Sequence, residues 1–344
     1  MLLKSEDVVM KAMHPSQVFS MNLDTLEEER EAYLTKFKPA AYSTIKNFIL
    51  TQRITLLYRE AIEILKNNNS SSYYICFEDT QGQKRYEGKY HYSYDIKFGT
   101  MYVTDKNIVF YVLGKYEKYY ENFLEKTRKF PKLDKDNWEK VMYMLPNVKD
   151  SFTSTTGDKI IIVEKPCEIY PLKEILNYFG GRLNPEYVAS IITRLNHFIC
   201  YIDICYLHHN GITLDNLFFA PGRVVKKGEP YTVNDMRIVG VYGGWFFTTW
   251  NEEKISGMPR DIYEYLPDNV KRTGYSSFEI DVLSIKKLAL ELLGGDLTDV
   301  PEAFVNWINC TECAANAYEE YKHWEDVIIR SFGKKRFVQM DISI

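Results

Sequence analysis

The sequence lacks three features that would place it in a specialised class of protein. Its six cysteines are scattered along 344 residues without the spacing of a disulfide framework. Basic residues are not in excess, since 43 Lys and Arg stand against 47 Asp and Glu, which argues against a protein that coats nucleic acid. No apolar run approaches the roughly 18 residues of a membrane span. We therefore predict a cytoplasmic protein with no nucleic-acid or membrane partner.

The composition that is present indicates a packed globular protein. Hydrophobic residues make up 45% of the chain, which has 27 tyrosines and enough length for two or three cores. Cys310 and Cys313 form one C-x-x-C pair, which is typical of half a zinc site or of a redox pair. Because no second pair or nearby histidine pair completes it, we favour two small buried thiols and predict no metal site.

The most informative segment is 209–216, which reads HNGITLDN. An apolar stripe at helical spacing over 185–207 precedes it, and two short apolar runs, 217–219 and 236–239, follow it as a predicted hairpin. This order of helix, loop and hairpin resembles the centre of the larger lobe of protein kinases, whose catalytic loop reads H-R-D-x-x-x-x-N.

The resemblance implies a catalytic loop without its chemistry. Gly211 stands where a kinase has the aspartate that accepts the substrate proton, whereas Asn216 matches the metal-binding asparagine. The metal-binding aspartate that follows the hairpin falls at Gly240 or Val241, and neither is a ligand. For His209 we favour a structural role over metal binding or acid-base chemistry.

One residue of the kinase pattern that supports the fold is retained. The segment 278–294 resembles the kinase helix whose aspartate caps the backbone of the catalytic loop, and Asp281 occupies that position. We predict that Asp281 is structural and that no residue of the loop is catalytic.

The middle of the chain resembles the smaller lobe of a kinase without its nucleotide-binding residues. Short β-rich runs over 73–113 are followed by a predicted helix over 116–128 and a buried strand over 160–166. The turn expected to cover the phosphates offers one glycine, Gly99, and the strand 109–112 has no lysine. The resemblance therefore implies no bound cofactor.

The N-terminal region predicts three helices, over 14–21, 24–37 and 54–65, followed by a polar linker. These helices resemble the J domain of Hsp70 co-chaperones, whose H-P-D tripeptide triggers ATP hydrolysis by Hsp70. Lys38-Pro39-Ala40 fills the tripeptide position. The second helix is acidic where J domains are usually basic, with glutamates at Glu27, Glu28, Glu29 and Glu31.

Together, these observations predict an α+β chain with a small three-helix domain followed by a bilobal protein-kinase-like fold. We assign 1–67 to a degenerate J-like domain, 68–165 to a kinase-like N-lobe and 166–344 to a mainly helical C-lobe. The whole chain resembles a bacterial family that couples a J-like domain to a kinase-like domain, with landmarks at 145–152 and 332–337.

Three functions are consistent with this sequence. The first is a catalytically inactive pseudokinase that scaffolds or regulates another protein, whose identity the sequence does not give. The second is a divergent phosphotransferase that uses ATP and magnesium, in which a metal could still bind through Asn216, Asp215 and Asp235. The third is a partner of Hsp70, which we consider a poorer fit because both trigger residues are missing. We favour the first because the losses affect two separate regions.

Overall fold

The computed structural model describes residues 3–12, 14–37, 45–67, 74–131, 138, 141–166, 169–220 and 239–333. They form two compact units, one containing the described residues up to 93 with 102–105, the other containing 94–101 and the described residues of 106–333. No helix within these ranges is both long enough and apolar enough to cross a membrane. The domain limits expected at 67 and 165 stay predictions.

The helices of the first unit differ in extent from those that the sequence predicts. The predicted helix over 14–21 is a single 3₁₀ turn, and a helix that the pattern did not predict lies before it. The third helix begins nine residues earlier than expected. Lys38, Pro39 and Ala40 lie outside the described residues. The elements are α1 (Glu6–Lys11), the turn Pro15–Gln17, α2 (Leu23–Lys36) and α3 (Ile45–Asn67).

Helix α2 begins because Asn22 caps it. The Asn22 side chain accepts a hydrogen bond from the Asp24 amide at 3.0 Å, and the helix begins one residue before the predicted limit of 24. The apolar faces of the N-terminal helices then form a core of their own. Leu57 is buried in this core. Its buried members are Val9, Ala12, Val18, Phe19, Leu26, Tyr33, Phe37, Leu50, Ile54, Leu57 and Ala61.

One of the four α2 glutamates is part of the packed interior. Glu29 is buried, and its carboxylate accepts hydrogen bonds from the Ser20 amide at 2.8 Å, from the Ser20 hydroxyl and from Thr25 Oγ1. Burial acts to raise the pKa of Glu29, but these hydrogen bonds outweigh it and lower the pKa. The expectation that Glu29 contributes to an exposed acidic face is therefore wrong.

Six strands follow, with the spatial order β1-β2-β3-β4-β6-β5. In the second unit, β6 pairs antiparallel with β4 on one side and β5 on the other, which buries its apolar run. Helix α4 (Glu117–Arg128) lies between β4 and β5 in the chain and matches the predicted helix closely. The strands are β1 (Tyr74–Glu78), β2 (Lys84–Ile96), β3 (Gly99–Thr104), β4 (Asn107–Val112), β5 (Asn147–Thr153) and β6 (Lys159–Glu164).

The rest of the second unit is mainly helical and surrounds α6 (Pro185–Ile204). Asn184 caps this helix, and its inner face is buried against α9 and α11. Two small sheets, β10-β9-β7 and β11-β8, lie near the loop that follows α6. The other elements are β7 (Tyr170–Pro171), α5 (Leu172–Tyr178), β8 (Leu207–His208), β9 (Leu217–Phe219), β10 (Val239–Val241), β11 (Thr249–Trp250), α7 (Arg260–Tyr263), α8 (Asp268–Thr273), α9 (Phe278–Leu292), α10 (Glu302–Asn309) and α11 (Ala317–Phe332).

Candidate functional site

The loop that resembles a kinase catalytic loop lies between β8 and β9. Helix α6 ends three residues before the predicted limit of 207, because Tyr206 adopts a left-handed backbone with a φ of 59° and β8 begins directly after it. β8 pairs with β11, so His208 lies opposite Thr249. These contacts fix the start of the loop before any of its side chains is considered.

Asp281 holds the start of this loop. Its Oδ2 accepts a hydrogen bond from the His209 amide at 2.7 Å and its Oδ1 accepts one from the Asn210 amide at 2.8 Å. The carboxyl group is fully buried, which raises its pKa to about 6, although His208 and the two amides act in the opposite direction. Asp281 therefore satisfies backbone donors that would otherwise be buried without partners.

Asn210 is a structural residue that the sequence pattern did not reveal. It adopts a left-handed backbone with a φ of 56°, which asparagine tolerates better than most residues. Its amide nitrogen donates to the carbonyl of Phe247 at 3.1 Å and to Thr249 Oγ1 at 2.9 Å, and its Oδ1 accepts from Ser276. These partners come from distant segments, so no sequence pattern indicates them. The only available signal was an asparagine directly after the histidine of the loop.

His209 is enclosed completely. Its ring lies edge-on to Trp245, with centroids 5.2 Å apart, and also contacts Phe198. Burial lowers the pKa of His209 to about 3, with a backbone contact to Gly243 opposing the shift. The imidazole is therefore neutral at physiological pH and has no access to solvent, which supports a structural role over acid-base chemistry.

Gly211, at the position of the catalytic aspartate, has no room for a side chain. A Cβ atom built there would lie 2.8 Å from the carbonyl oxygen of Gly244 and 3.0 Å from its Cα. A Cβ on Gly244 would similarly meet the carbonyl oxygen of Gly211 at 2.5 Å. The two backbones are therefore in direct contact, and aspartate does not fit without displacing one of them.

Asn216, at the position of a kinase metal ligand, is used within the loop. Its side-chain nitrogen donates to the Gly211 carbonyl at 2.8 Å and to Thr213 Oγ1 at 3.0 Å, while its backbone carbonyl accepts from the Gly243 amide. The neighbouring Asp215 forms an exposed ion pair with Lys173 at 2.8 Å. Each polar side chain therefore has a structural contact already.

The register of the hairpin shifts the expected position of the metal-binding aspartate. Residues 236–238 lie outside the described residues, and the second strand is Val239–Val241, in which Gly240 pairs with Phe218 and Val241 pairs with Leu217. Tyr242 is the first residue past the strand and donates a hydrogen bond to the Tyr143 carbonyl at 3.0 Å. Burial raises its pKa. None of these three positions, Gly240, Val241 or Tyr242, supplies a carboxylate.

An aromatic cluster, defined by Trp245, Phe246, Phe247 and Phe98, fills the space next to the loop. Phe98 lies in the turn that was expected to cover the phosphates, and its ring is 5.0 Å from Phe246 and 5.2 Å from Phe247. A Cβ on Gly99, beside it, would lie 2.0 Å from the carbonyl oxygen of Tyr111. The turn is thus folded inward and presents a buried ring where a phosphate-binding loop presents backbone amides.

Helix α4 contacts this cluster through the side chain of Asn122. The Asn122 side chain donates to the carbonyls of Phe246 at 3.2 Å and Thr248 at 2.9 Å. One turn later, Lys126 is buried and pairs with Glu253 at 2.8 Å, with Trp250 beneath its ammonium group. Kinases use a lysine on the sheet and a glutamate on the helix, so a lysine on the helix is a different arrangement.

The residues present do not fit magnesium and ATP. The position expected for the general base holds Gly211, and the position expected for the metal-binding carboxylate holds Gly240, Val241 or Tyr242. Phe98 and Phe246 are packed together beside the loop. Elsewhere, Cys313 is half-buried, which raises the pKa of its thiol to about 12. Across the described ranges, no group of three or more His, Cys, Asp and Glu side chains could hold a metal ion.

Comparison with known proteins identifies the fold. No family model and no curated protein sequence matches the chain. A solved structure of vaccinia related kinase 3 matches with a TM-score of 0.52 at 14% identity, covering 78% of this chain and 95% of that one. The BubR1 kinase domain matches with a TM-score of 0.49 at 11% identity, covering 70% of this chain and 80% of that one.

The first of these similarities confirms the expectation of a protein-kinase-like fold. At this level of identity it concerns the fold and carries no activity with it. Function must be argued from the residues of the loop.

Proposed function

We propose that this chain is a pseudokinase, a kinase-like protein that transfers no phosphate and acts by binding another protein. The observation that carries the proposal is the contact between Gly211 and Gly244, which occupies the space that a catalytic aspartate would need. Phosphoryl transfer depends on positioning the nucleophile and on neutralising charge with metal ions. Here Gly211 stands where the aspartate that positions the nucleophile is expected, and no carboxylate stands where the metal ligand is expected.

The alternative of a divergent phosphotransferase would need polar groups that are free to bind magnesium. Asn216 is bound to Gly211 and Thr213, and Asp215 is paired with Lys173 on the surface. Asp235 lies outside the described residues. No contact of the described residues favours this alternative over the pseudokinase.

The test is transfer of radiolabelled phosphate from ATP to the full chain and to generic protein substrates, with magnesium and with manganese. We expect none above a blank without protein. Asn216→Ala is the matched variant, because Asn216 is the loop residue that matches the metal-binding asparagine of the kinase pattern. Transfer that this variant abolishes would refute the pseudokinase proposal, and a thermal shift that requires both ATP and magnesium would count against a closed site.

We also propose that the N-terminal helices are a degenerate J-like module with a binding role in the cytoplasm. The observation that supports this proposal is the separate hydrophobic core of α1, α2 and α3, which includes Tyr33, Leu57 and Ala61. The expected surface charge on α2 is carried by Glu27, Glu28 and Glu31, since Glu29 is buried. These negative charges would repel an acidic docking surface on Hsp70 and so weaken binding to it.

The test of this second part is the ATPase rate of the cognate Hsp70. We expect no stimulation by the wild-type chain, and none by the double variant Lys38→His with Ala40→Asp. Adding Glu27→Lys and Glu31→Lys to that double variant separates the two causes, because it restores the trigger and removes the repulsion. Stimulation by the wild type would contradict the loss of chaperone function.

A further inference from the structure

The second unit has a groove of about 550 Å³ between the segment 255–258 and helices α7 and α8. We call it the basic groove, and define it by a rim of Lys97, Arg260 and Lys271 and a floor of Met258, Leu266 and Val270. Its volume is within the roughly 300 to 1,000 Å³ that is typical of ligand pockets. None of the loop residues described above lines it.

The charge of the groove is all of one sign. Three cations line it, whereas no described lining residue is acidic, although the whole chain has a net charge of −4. Among the described residues, no carboxylate forms an ion pair with Lys97 or Arg260, and Lys271 has only the exposed Asp268 at 3.7 Å. These cations are therefore available to an external anion.

The floor of the groove is apolar and well supported. Met258, Leu266 and Val270 belong to a small hydrophobic core that also contains Ile262 and Ile280. A hydrogen bond from the Tyr119 hydroxyl to the Ser256 carbonyl, at 3.2 Å, ties the wall of the groove to α4. The exposed Tyr263 ring lines the same space. A ligand must therefore have an apolar part as well as negative charge.

We propose that the basic groove binds an acidic peptide segment of a partner protein, with an apolar side chain on the floor and carboxylates at the rim. This proposal rests on the proposed binding function and specifies its partner. An inorganic anion would leave the floor uncovered. Nucleic acid is a poorer fit, because three cations are fewer than the roughly 6 to 10 phosphate contacts that dominate such binding.

The experiment measures fluorescence anisotropy of a labelled peptide, with one leucine between two pairs of glutamates, on the full-length chain. Two control peptides replace the leucine with serine or the glutamates with lysines. The test variant is Arg260→Glu with Lys271→Glu, and both residues are exposed, so the fold should persist. Lys322→Glu is the matched control, because Lys322 also lies exposed on a helix with an acidic partner three residues earlier.

We expect the double variant to raise the Kd about tenfold, because each reversed rim charge accounts for a factor of a few, while Lys322→Glu leaves it unchanged. Both control peptides should bind more weakly, and added salt should weaken binding of the glutamate peptide. Neutral substitution, Arg260→Gln with Lys271→Gln, should give an intermediate Kd.

Three results would overturn the proposal: no binding, equal binding of the glutamate and lysine peptides, or equal binding by the wild type and the double variant. Equal competition by a short oligonucleotide or by anionic vesicles would show a general anion surface and would overturn it as well. Failure here leaves the pseudokinase proposal standing, because that proposal is refuted by phosphate transfer and not by peptide binding.

Discussion

Replacing Gly211 with alanine tests directly whether the backbones of Gly211 and Gly244 are in contact. The added methyl group would lie 2.8 Å from the carbonyl oxygen of Gly244 and 3.2 Å from its carbonyl carbon. Real Cβ atoms are not found so close to backbone, so one of the two segments must move. Gly211 is not among the residues with positive φ, and therefore the cost is one of space and not of backbone strain.

The magnitude follows from that collision. Overpacking a tight interior typically costs about 1 to 3 kcal/mol, and rigid backbone on both sides places this site toward the upper part of the range. For a unit of this size the melting temperature should fall by roughly 2 to 10 °C. Urea unfolding followed by tryptophan fluorescence is a suitable assay, because Trp245 lies next to the loop and reports its movement.

Gly88→Ala is the matched control. The three atoms nearest to a Cβ at Gly88 all belong to the Tyr86 side chain, the closest being its hydroxyl oxygen at 3.5 Å, and no left-handed backbone is required. We expect this variant to be neutral, or stabilised by about 0.4 to 1 kcal/mol through the smaller entropy of its unfolded chain. If Gly211→Ala and Gly88→Ala unfold at the same urea concentration, the contact between Gly211 and Gly244 does not exist as described.

Two further predictions concern Asp281. Asp281→Ala leaves the buried amides of His209 and Asn210 without acceptors and should cost about 1 to 3 kcal/mol for each, measured by urea unfolding; a wild-type midpoint would refute the capping role. The second is a pH dependence of the free energy of unfolding. His209 has a pKa of about 3 in the folded protein against an ordinary value of 6.5, so stability falls as the pH falls below 6.5. Asp281 has a pKa of about 6 in the folded protein against an ordinary value of 3.8, so its protonation opposes this loss of stability between pH 6 and 3.8. Asp281→Asn removes the opposing carboxyl group and should steepen the loss by up to about 1.4 kcal/mol per pH unit; equal slopes in the two proteins would contradict the assignment.

The kinase-like fold could be predicted because its signals are local. A long apolar stripe gives α6, a glycine-containing loop of fixed spacing follows it, and Asp281 falls in the first turns of a later helix. Each of these features is set by neighbouring residues. Helix α1 and the first nine residues of α3 were missed because each segment is short and is buried through the shared core, which includes Val9 and Leu50.

From the sequence, the candidate site could be predicted only as a set of missing residues. Nothing in the sequence shows that Gly211 faces Gly244, since 33 positions separate them. Asn122 and Asn210 were missed for a related reason, because each binds backbone carbonyls of a segment far away in the chain. Such partners follow no periodic pattern, so polar residues of this kind look like ordinary loop or helix-surface residues.

The contact between Gly211 and Gly244 also has an evolutionary consequence. A single change from glycine to aspartate at 211 would place a carboxylate against backbone that already occupies the site, so the protein would lose stability before it gained chemistry. A general base at 211 would need an accompanying displacement of the segment around Gly244, and hence several changes that are useless alone. Under the proposed function, a change to phosphotransferase chemistry is therefore opposed by the packing of two glycines as well as by the absence of the expected residues.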